Sequence, residues 1–118
     1  MEYDIKTIPH NEQRYETVGD FWTKDGVDFI RVSEMEDPRY NFLVALHEFI
    51  EQELCKVRGI KTEDIDKFDQ DFKGEGEPGD SPLAIYRREH FFATSLERLM
   101  AAELGVDWEE YDDKVNSL

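Results

Sequence analysis

Residues 37–59 read DPRYNFLVALHEFIEQELCKVRG, and this stretch decides the fold. Asp37 is a favourable N-cap, and Pro38 suits the first helical position because its missing N–H would have no partner there. Gly59 favours the left-handed conformation that commonly follows the end of a helix. The stretch therefore predicts one long helix from Pro38 to about Arg58.

Polar side chains interrupt the apolar side of this helix. At about 100° per residue, its apolar residues fall on one arc with two more just beyond it, namely Leu43, Leu46, Ile50, Leu54 and Val57, then Val44 and Cys55. His47 and Glu51 lie between these two groups, and their i, i+4 spacing places both side chains on one side, one turn apart. They could hold one ion together. Glu48 lies about 100° round from His47, at the edge of the apolar arc.

A second long helix is predicted from Ser81-Pro82 to Gly105, by the same combination of cap, proline and terminal glycine. Its apolar arc is broad and comprises Ile85, Tyr86, Phe92, Ala93, Leu96, Leu99, Met100 and Leu104. Glu89, His90 and Glu97 interrupt that arc. The helix therefore carries polar interruptions that match those of the first helix.

The two interrupted faces are expected to meet. Ala93 and Ala101 lie close to the polar residues of the second helix, and small residues permit close approach of helices. If the two apolar arcs pack together, two of the three histidines of the chain converge with several carboxylates. We therefore expect His47 and Glu51 to face the second helix at its His90 and Glu97 positions.

The remainder of the chain predicts a small β structure and short helices. Residues 1–13 favour irregular structure, whereas β-prone runs at 15–22 and 27–32 flank Asp25-Gly26, a pair that suits a hairpin turn. Residues 62–72, rich in Asp, predict a short helix or a turn, and residues 73–80, KGEGEPGD, predict a mobile loop.

Asp107 is expected to cap a last short helix that carries Trp108 and Tyr111. The expected fold class is thus α+β, with an N-terminal hairpin followed by two long packed helices and a short C-terminal helix. At 118 residues, positions 1–118 are expected to form a single domain.

Composition excludes several classes of partner. Acidic residues outnumber basic ones 29 to 14, and the net charge of −15 argues against nucleic acid and against an anionic membrane surface. Cys55 is the single cysteine, so no internal disulfide can form. The sequence contains neither an apolar signal core at its start nor a run of eighteen apolar residues, so a cytoplasmic location is expected.

Burying several carboxylates together requires compensation, because each buried charge costs several kcal/mol and like charges repel. The candidates are a divalent metal, protonation of some carboxyls, or ion pairs to Arg58, Arg87 or Arg88. Mixed imidazole and carboxylate ligands suit Zn, Fe, Mn or Ni, and no cysteine cluster favours a closed structural zinc site.

The metal hypothesis gives each residue a role. His47, Glu51 and His90 would hold the ion, with Glu97 or Glu89 as a further ligand or as a partner that orients an imidazole. Glu48 would be the general base acting on bound water. Two alternatives stay open at this point, a purely structural hydrogen-bonded network and a site for a non-metal ligand. In the structural reading, Glu48 or Glu89 simply faces water.

Two long segments, LVALHEFIEQELCKVRGI and SPLAIYRREHFFATSLERLMAAELGVDW, resemble a group of short uncharacterised phage and bacterial proteins that share this arrangement. Residues 47–51, HEFIE, are also similar to the zincin metallopeptidase helix. That resemblance implies His47 as a ligand and Glu48 as the base, with Glu51 in place of the second histidine. The Glu48-x-x-Glu51 pair further resembles the all-α nucleotide pyrophosphohydrolases, which hold magnesium with carboxylates, although their downstream Glu-x-x-Asp is not evident.

Three hypotheses of function follow. The first is a metal-binding protein with hydrolytic activity on an unknown small-molecule or peptide substrate. The second is a non-enzymatic acidic protein that binds a basic protein partner, such as a DNA mimic or inhibitor, because a charge of −15 speeds association with basic surfaces. The third is a magnesium-dependent nucleotide pyrophosphohydrolase.

Overall fold

The structure is a computed structural model that describes residues 1–118. It is an α+β fold, as the sequence predicts, with a three-stranded sheet followed by four helices. The strands are β1 (Glu2–Ile8), β2 (Gly19–Lys24) and β3 (Val27–Ser33), and the helices are α1 (Pro38–Val57), α2 (Thr62–Asp71), α3 (Arg87–Glu103) and α4 (Trp108–Asn116). Short 3₁₀ turns lie at His10–Glu12 and Pro78–Asp80.

The predicted hairpin is present as β2 and β3, which pair antiparallel from Gly19 opposite Val32 to Lys24 opposite Val27. Asp25 and Gly26 join the strands with φ angles of 52° and 78°, the positive values that such a turn requires. The predicted start of the first strand was wrong. Residues 15–18 lie before β2 and line the cavity described below.

The N-terminal segment forms a strand, so the prediction of irregular structure over residues 1–13 was wrong for its first part. β1 pairs parallel with β3, and the strand order is β1-β3-β2. Its side chains are mostly exposed, and an ion pair from Arg31 to Asp4 at 3.0 Å helps to hold the strand. Because β1 is stabilised by pairing with a strand far along the chain, local sequence gives little sign of it.

Helix α1 begins and ends where the sequence predicts. The Asp37 side chain accepts a hydrogen bond from the Arg39 N–H at 2.9 Å, and Gly59 has a φ of 71°. Its buried face, however, is not the one that the apolar arc indicates. The buried residues are Leu43, Val44, His47, Glu48, Glu51, Gln52 and Cys55. Val57, expected on the buried arc, is 76% exposed.

Helix α3 begins at Arg87, so the predicted start at Ser81-Pro82 was wrong. The Ser81 hydroxyl instead accepts a hydrogen bond from the Leu83 N–H, and residues 81–86 form successive turns. The same chemistry that caps a helix also closes a local turn. The predicted end is confirmed, with Gly105 at a φ of 68°, and the Asp107 carboxylate caps α4 through the Glu110 N–H.

Helices α1 and α3 pack antiparallel. At one end Arg58 pairs with Glu89 at 2.6 Å, and at the other Arg39 donates to the Leu104 and Gly105 carbonyl oxygens. Ala93 and Ala101 are fully buried between them, as expected of small residues at a close crossing. The sheet packs on α1 through β2 and β3. This arrangement turns the polar interruptions of both helices toward each other.

Several large apolar side chains of the predicted arcs lie at the surface, most clearly Val57, Ile85, Phe92 and Leu99. The apolar core lies elsewhere, and its most deeply buried members include Ile30, Val32, Leu43, Cys55 and Tyr111. None of the helices combines the length and apolar character needed to cross a membrane.

Candidate metal centre

Three ligand atoms from α1 and α3 form a small triangle. The distances are 3.0 Å between His47 Nε2 and Glu51 Oε2, 3.2 Å between His47 Nε2 and His90 Nδ1, and 2.9 Å between His90 Nδ1 and Glu51 Oε2. Two ligands bound at right angles about 2.1 Å from one ion lie about 3.0 Å apart. The three atoms therefore have the spacing of one face of an octahedral coordination sphere and could hold a metal ion.

The facing of the two helices is confirmed by these contacts and by Glu97. His47 Nδ1 lies 2.7 Å from Glu97 Oε1, and the Tyr111 hydroxyl donates to the other oxygen of that carboxylate. Because a carboxylate only accepts, the Nδ1 nitrogen of His47 carries the hydrogen in this contact. Nε2 lies 3.0 Å from Glu51 Oε2, and without an ion that contact also needs a hydrogen on Nε2, so the ring carries a positive charge. A metal ion would replace the Nε2 proton while Nδ1 stays bonded to Glu97, which is the orientation a metal ligand needs.

The charges at this triangle favour a cation. Burial alone would raise the pKa of Glu51, but hydrogen bonds with His47 and then His90 lower that pKa to about 2. Burial alone would lower the pKa of His90, but the carboxylates of Glu51 and then Glu77 raise it to about 10. The pKa of His47 is likewise raised, against the effect of its burial, by Glu51 and Glu97. All three shifts favour added positive charge at the triangle, whether a proton or a metal ion supplies it.

Glu48 lies in the same cavity and is buried. Burial raises the pKa of its carboxyl well above the ordinary value, and the charge of Glu51 raises that pKa further. Gly19 leaves room for it, since a Cβ at position 19 would lie 2.7 Å from Glu48 Oε1. Strand β2 therefore approaches α1 closely enough to shield this carboxyl from water.

The cavity beside the triangle has a volume of about 260 Å³. Its wall holds three histidines and six carboxylates but no lysine or arginine, the acidic residues being Glu16, Glu48, Glu51, Asp69, Glu77 and Glu97. The arginines that the sequence offered as compensation lie elsewhere: Arg58 pairs with Glu89, and the exposed Arg87 and Arg88 do not reach the cavity. Compensation by arginine is thereby excluded for this group of carboxylates.

The predicted site residues separate into two groups. His47, Glu51 and His90 meet in the triangle, Glu97 supports His47, and Glu48 lines the same cavity. Glu89 is buried but faces Arg58 on the other side of α3, so the structure places it outside the group. It balances a charge at the helix interface and does not contact the imidazoles.

Sequence reasoning missed several residues that complete the site. Tyr111 was assigned only to a short helix, and its hydroxyl contact with Glu97 has no local sequence signal. Asp69 of α2 accepts hydrogen bonds from Tyr15 and Tyr86, and its pKa is raised to about 6, mainly by burial. These contacts join segments distant along the chain, which a helix wheel cannot reveal.

Residues 73–80 form the predicted loop, which ends in a 3₁₀ turn. Its Pro78–Asp80 turn packs on α3, where Gly79 is buried against the His90 ring. Glu77 and Asp80 accordingly lie beside His90.

Comparison with models of known protein families, with curated proteins and with solved structures finds no match for this chain.

Proposed function

We propose that the protein is a metal-dependent hydrolase whose divalent ion is held by His47, Glu51 and His90. The observation that carries this proposal is the triangle of ligand atoms, with sides of 2.9 to 3.2 Å. Two imidazoles and one carboxylate on one face leave the remaining coordination positions open. Open positions are typical of catalytic rather than structural metal sites.

The ligand set favours a transition metal. Mixed imidazole and carboxylate ligands suit Zn, Fe, Mn or Ni, whereas Mg and Ca prefer oxygen ligands throughout. With two of the three triangle atoms being nitrogen, magnesium fits poorly. This preference also weakens the alternative of a magnesium-dependent nucleotide pyrophosphohydrolase.

A hydrolytic role follows from the neighbours of the triangle. A bound divalent ion would polarise a carbonyl and lower the pKa of water at the site. Its positive charge would also lower the pKa of Glu48, so that this carboxylate ionises and accepts a proton as general base. Glu97, held by Tyr111, would keep the His47 ring in place throughout.

The charge of the cavity narrows the substrate class. A phosphate ester or nucleotide would meet six carboxylates in the cavity wall and no lysine or arginine, so the bound ion alone would have to offset the repulsion. A neutral or cationic group meets no such repulsion from the six carboxylates. We therefore propose amide or ester bonds in neutral or basic substrates, in keeping with the resemblance of residues 47–51 to the zincin helix.

Metal content provides the test. Protein purified without an affinity tag and reconstituted with Zn²⁺, Fe²⁺, Mn²⁺ or Ni²⁺ should retain a stoichiometric ion by elemental analysis. His47→Ala should lose that ion, whereas the control Glu53→Gln, at an exposed position of the same helix, should keep it. Retention of less than about a tenth of an equivalent of every metal by the unaltered protein would refute the proposal.

The acidic-partner hypothesis is the second candidate, and the observation that favours it is the net charge of −15. Association with a basic protein would slow strongly as salt is added, because the attraction is screened. Salt-independent association would count against it. His47→Ala should leave this association intact, which separates the two candidates.

A further inference from the structure

The second ring nitrogen of His90 has no hydrogen-bond partner. The residue is only 6% exposed, and Nε2 is buried. Glu77 Oε2 and Asp80 Oδ1 lie 3.2 and 3.1 Å away, but neither lies in the direction that a ring N–H bond requires. Buried polar atoms are rarely left unpaired, so an unpaired nitrogen here indicates a missing partner such as an ion.

The backbone of the Pro78–Asp80 turn packs closely against the His90 ring. A Cβ at Gly79 would lie 2.5 Å from His90 Cγ and 2.6 Å from Nδ1, so the main chain at Gly79 lies directly against the imidazole. The turn thus holds the ring between the triangle on one side and two carboxylates on the other. The turn that packs against the ring thus also places Glu77 and Asp80 beside its unpaired nitrogen.

The distances around Nε2 match those of the triangle. Its 3.1 and 3.2 Å separations from two carboxylate oxygens equal the spacing of adjacent ligands on one ion, about 3.0 Å for right-angled bonds of about 2.1 Å. An ion between the three atoms would satisfy the nitrogen and bring the two acids together without repulsion. His90, Glu77 and Asp80 could thus hold a metal ion as well.

We propose that His90 Nε2, Glu77 and Asp80 bind a second divalent transition-metal ion, so that the His90 imidazole bridges two ions. This inference rests on the proposed function. Each ring nitrogen then gives its lone pair to one ion. The ring must lose both of its N–H protons, which pass to solvent, and becomes an imidazolate. Metal binding would therefore release protons, as it does wherever a protonated ligand must first ionise.

Access and charge support this second position. Asp80 is exposed, and the Glu77 side chain is 43% exposed, so an ion can reach them from solvent. A second cavity of about 410 Å³ meets the first at Glu77 and contains Asp80 as well. The first wall holds six carboxylates and no lysine or arginine, and the second holds four carboxylates and one arginine, Arg98.

Calorimetric titration of tag-free, chelator-stripped protein with Zn²⁺, checked by elemental analysis, tests the proposal. The unaltered chain should bind two equivalents, and Glu77→Gln with Asp80→Asn should bind one. The matched control, Asp64→Asn with Glu75→Gln, also removes two exposed acidic charges and should still bind two. Circular dichroism should show that all three proteins are folded.

The outcomes separate the two proposals. One equivalent in both the unaltered chain and Glu77→Gln/Asp80→Asn would overturn the second site and leave the first standing. If the unaltered chain binds neither Zn²⁺ nor, in the same titration, Fe²⁺, Mn²⁺ or Ni²⁺, the proposed function itself is overturned. Loading with two equivalents of Cu²⁺ then tests the bridge, because an imidazolate couples the two electron spins and reduces the paramagnetic resonance signal. Two bound ions with fully additive signals would overturn the bridge.

Discussion

At the scale of single residues, the site depends on which nitrogen of each imidazole is free to bind. The Glu97 carboxylate accepts a hydrogen bond from His47 Nδ1 and a second one from the Tyr111 hydroxyl. Three residues from α1, α3 and α4 therefore determine the direction of one lone pair. Outer hydrogen bonds of this kind make metal ligands more basic and hold their rings in place.

Tyr111→Phe should weaken metal binding without removing a ligand. The variant keeps the aromatic packing of a fully buried ring but deprives Glu97 of one donor. We expect the zinc dissociation constant to rise about tenfold, the lower end of the effect seen for such partners. Competition with a chromophoric chelator measures it. Tyr3→Phe, at an exposed position, should leave affinity unchanged, and an equal loss in both variants would contradict the role given to Tyr111.

Glu48→Gln should stabilise the chelator-treated protein at high pH. The raised pKa means that the folded protein keeps the Glu48 proton after the unfolded chain, with its ordinary pKa of 4.5, has lost its own. Stability is therefore lost as pH rises above 4.5, and an uncharged glutamine avoids that loss. Urea unfolding should show no difference near pH 4 and a growing advantage for the variant toward pH 9. A constant difference at all pH values would show that Glu48 is not held protonated.

At the scale of secondary-structure elements, the sequence predicts ends better than faces. Asp37-Pro38 and Gly59 bound α1 because caps and terminal glycines act locally. The buried face of α1 is misjudged, because the apolar arc through Leu46 and Val57 is more exposed than the polar residues beside it. Burying His47 and Glu51 is favourable only once α3 supplies their partners.

The features that the sequence does not predict are those that depend on contacts between segments distant along the chain. The Ser81-Pro82 signal closes a turn instead of starting α3, and β1 depends on pairing with β3. The approach of Glu77 and Asp80 to His90 depends on how residues 73–80 fold back over α3. No local sequence pattern predicts that the loop folds back in this way. The contact of His47 with His90, by contrast, is predicted by placing the residues of α1 and α3 on helical wheels.

Gly79→Ala should disturb the metal centre from outside it. The new methyl group would lie 2.5 Å from His90 Cγ, so the ring or the turn must move. We expect weaker zinc binding, by about tenfold or more, because His90 leaves its place beside Glu51. The control Gly74→Ala meets only the outer edge of the Phe72 ring, which can shift. Unchanged affinity in Gly79→Ala would show that the turn does not position His90.

At the scale of the whole molecule, protons and metal ions compete for the same excess of negative charge. His90 faces Glu51 from α1 and Glu77 and Asp80 from the 73–80 loop, with His47 as the only opposing basic group. A net charge of −15 adds to this field over the whole surface. The metal-stripped protein should therefore hold protons where the loaded protein holds ions.

The stability of the stripped protein and the increment that zinc adds to it should consequently depend on pH in opposite ways. In the stripped protein, His90 has a pKa of about 10 against 6.5 when unfolded, so its contribution is complete below pH 6.5 and lost as pH rises toward 10. The stabilisation added by Zn²⁺ should grow over that same interval, because fewer protons must be displaced. Thermal unfolding with and without chelator from pH 6 to 10 measures both. Zinc stabilisation that falls with rising pH would contradict this competition.

The most direct test of the central claim is a crystal structure of the zinc-loaded protein, with anomalous diffraction recorded on both sides of the zinc absorption edge. The account predicts an anomalous peak within about 2.3 Å of His47 Nε2, Glu51 Oε2 and His90 Nδ1. A zinc-loaded crystal with no peak at this triangle, or with its only peaks at other residues, would contradict it.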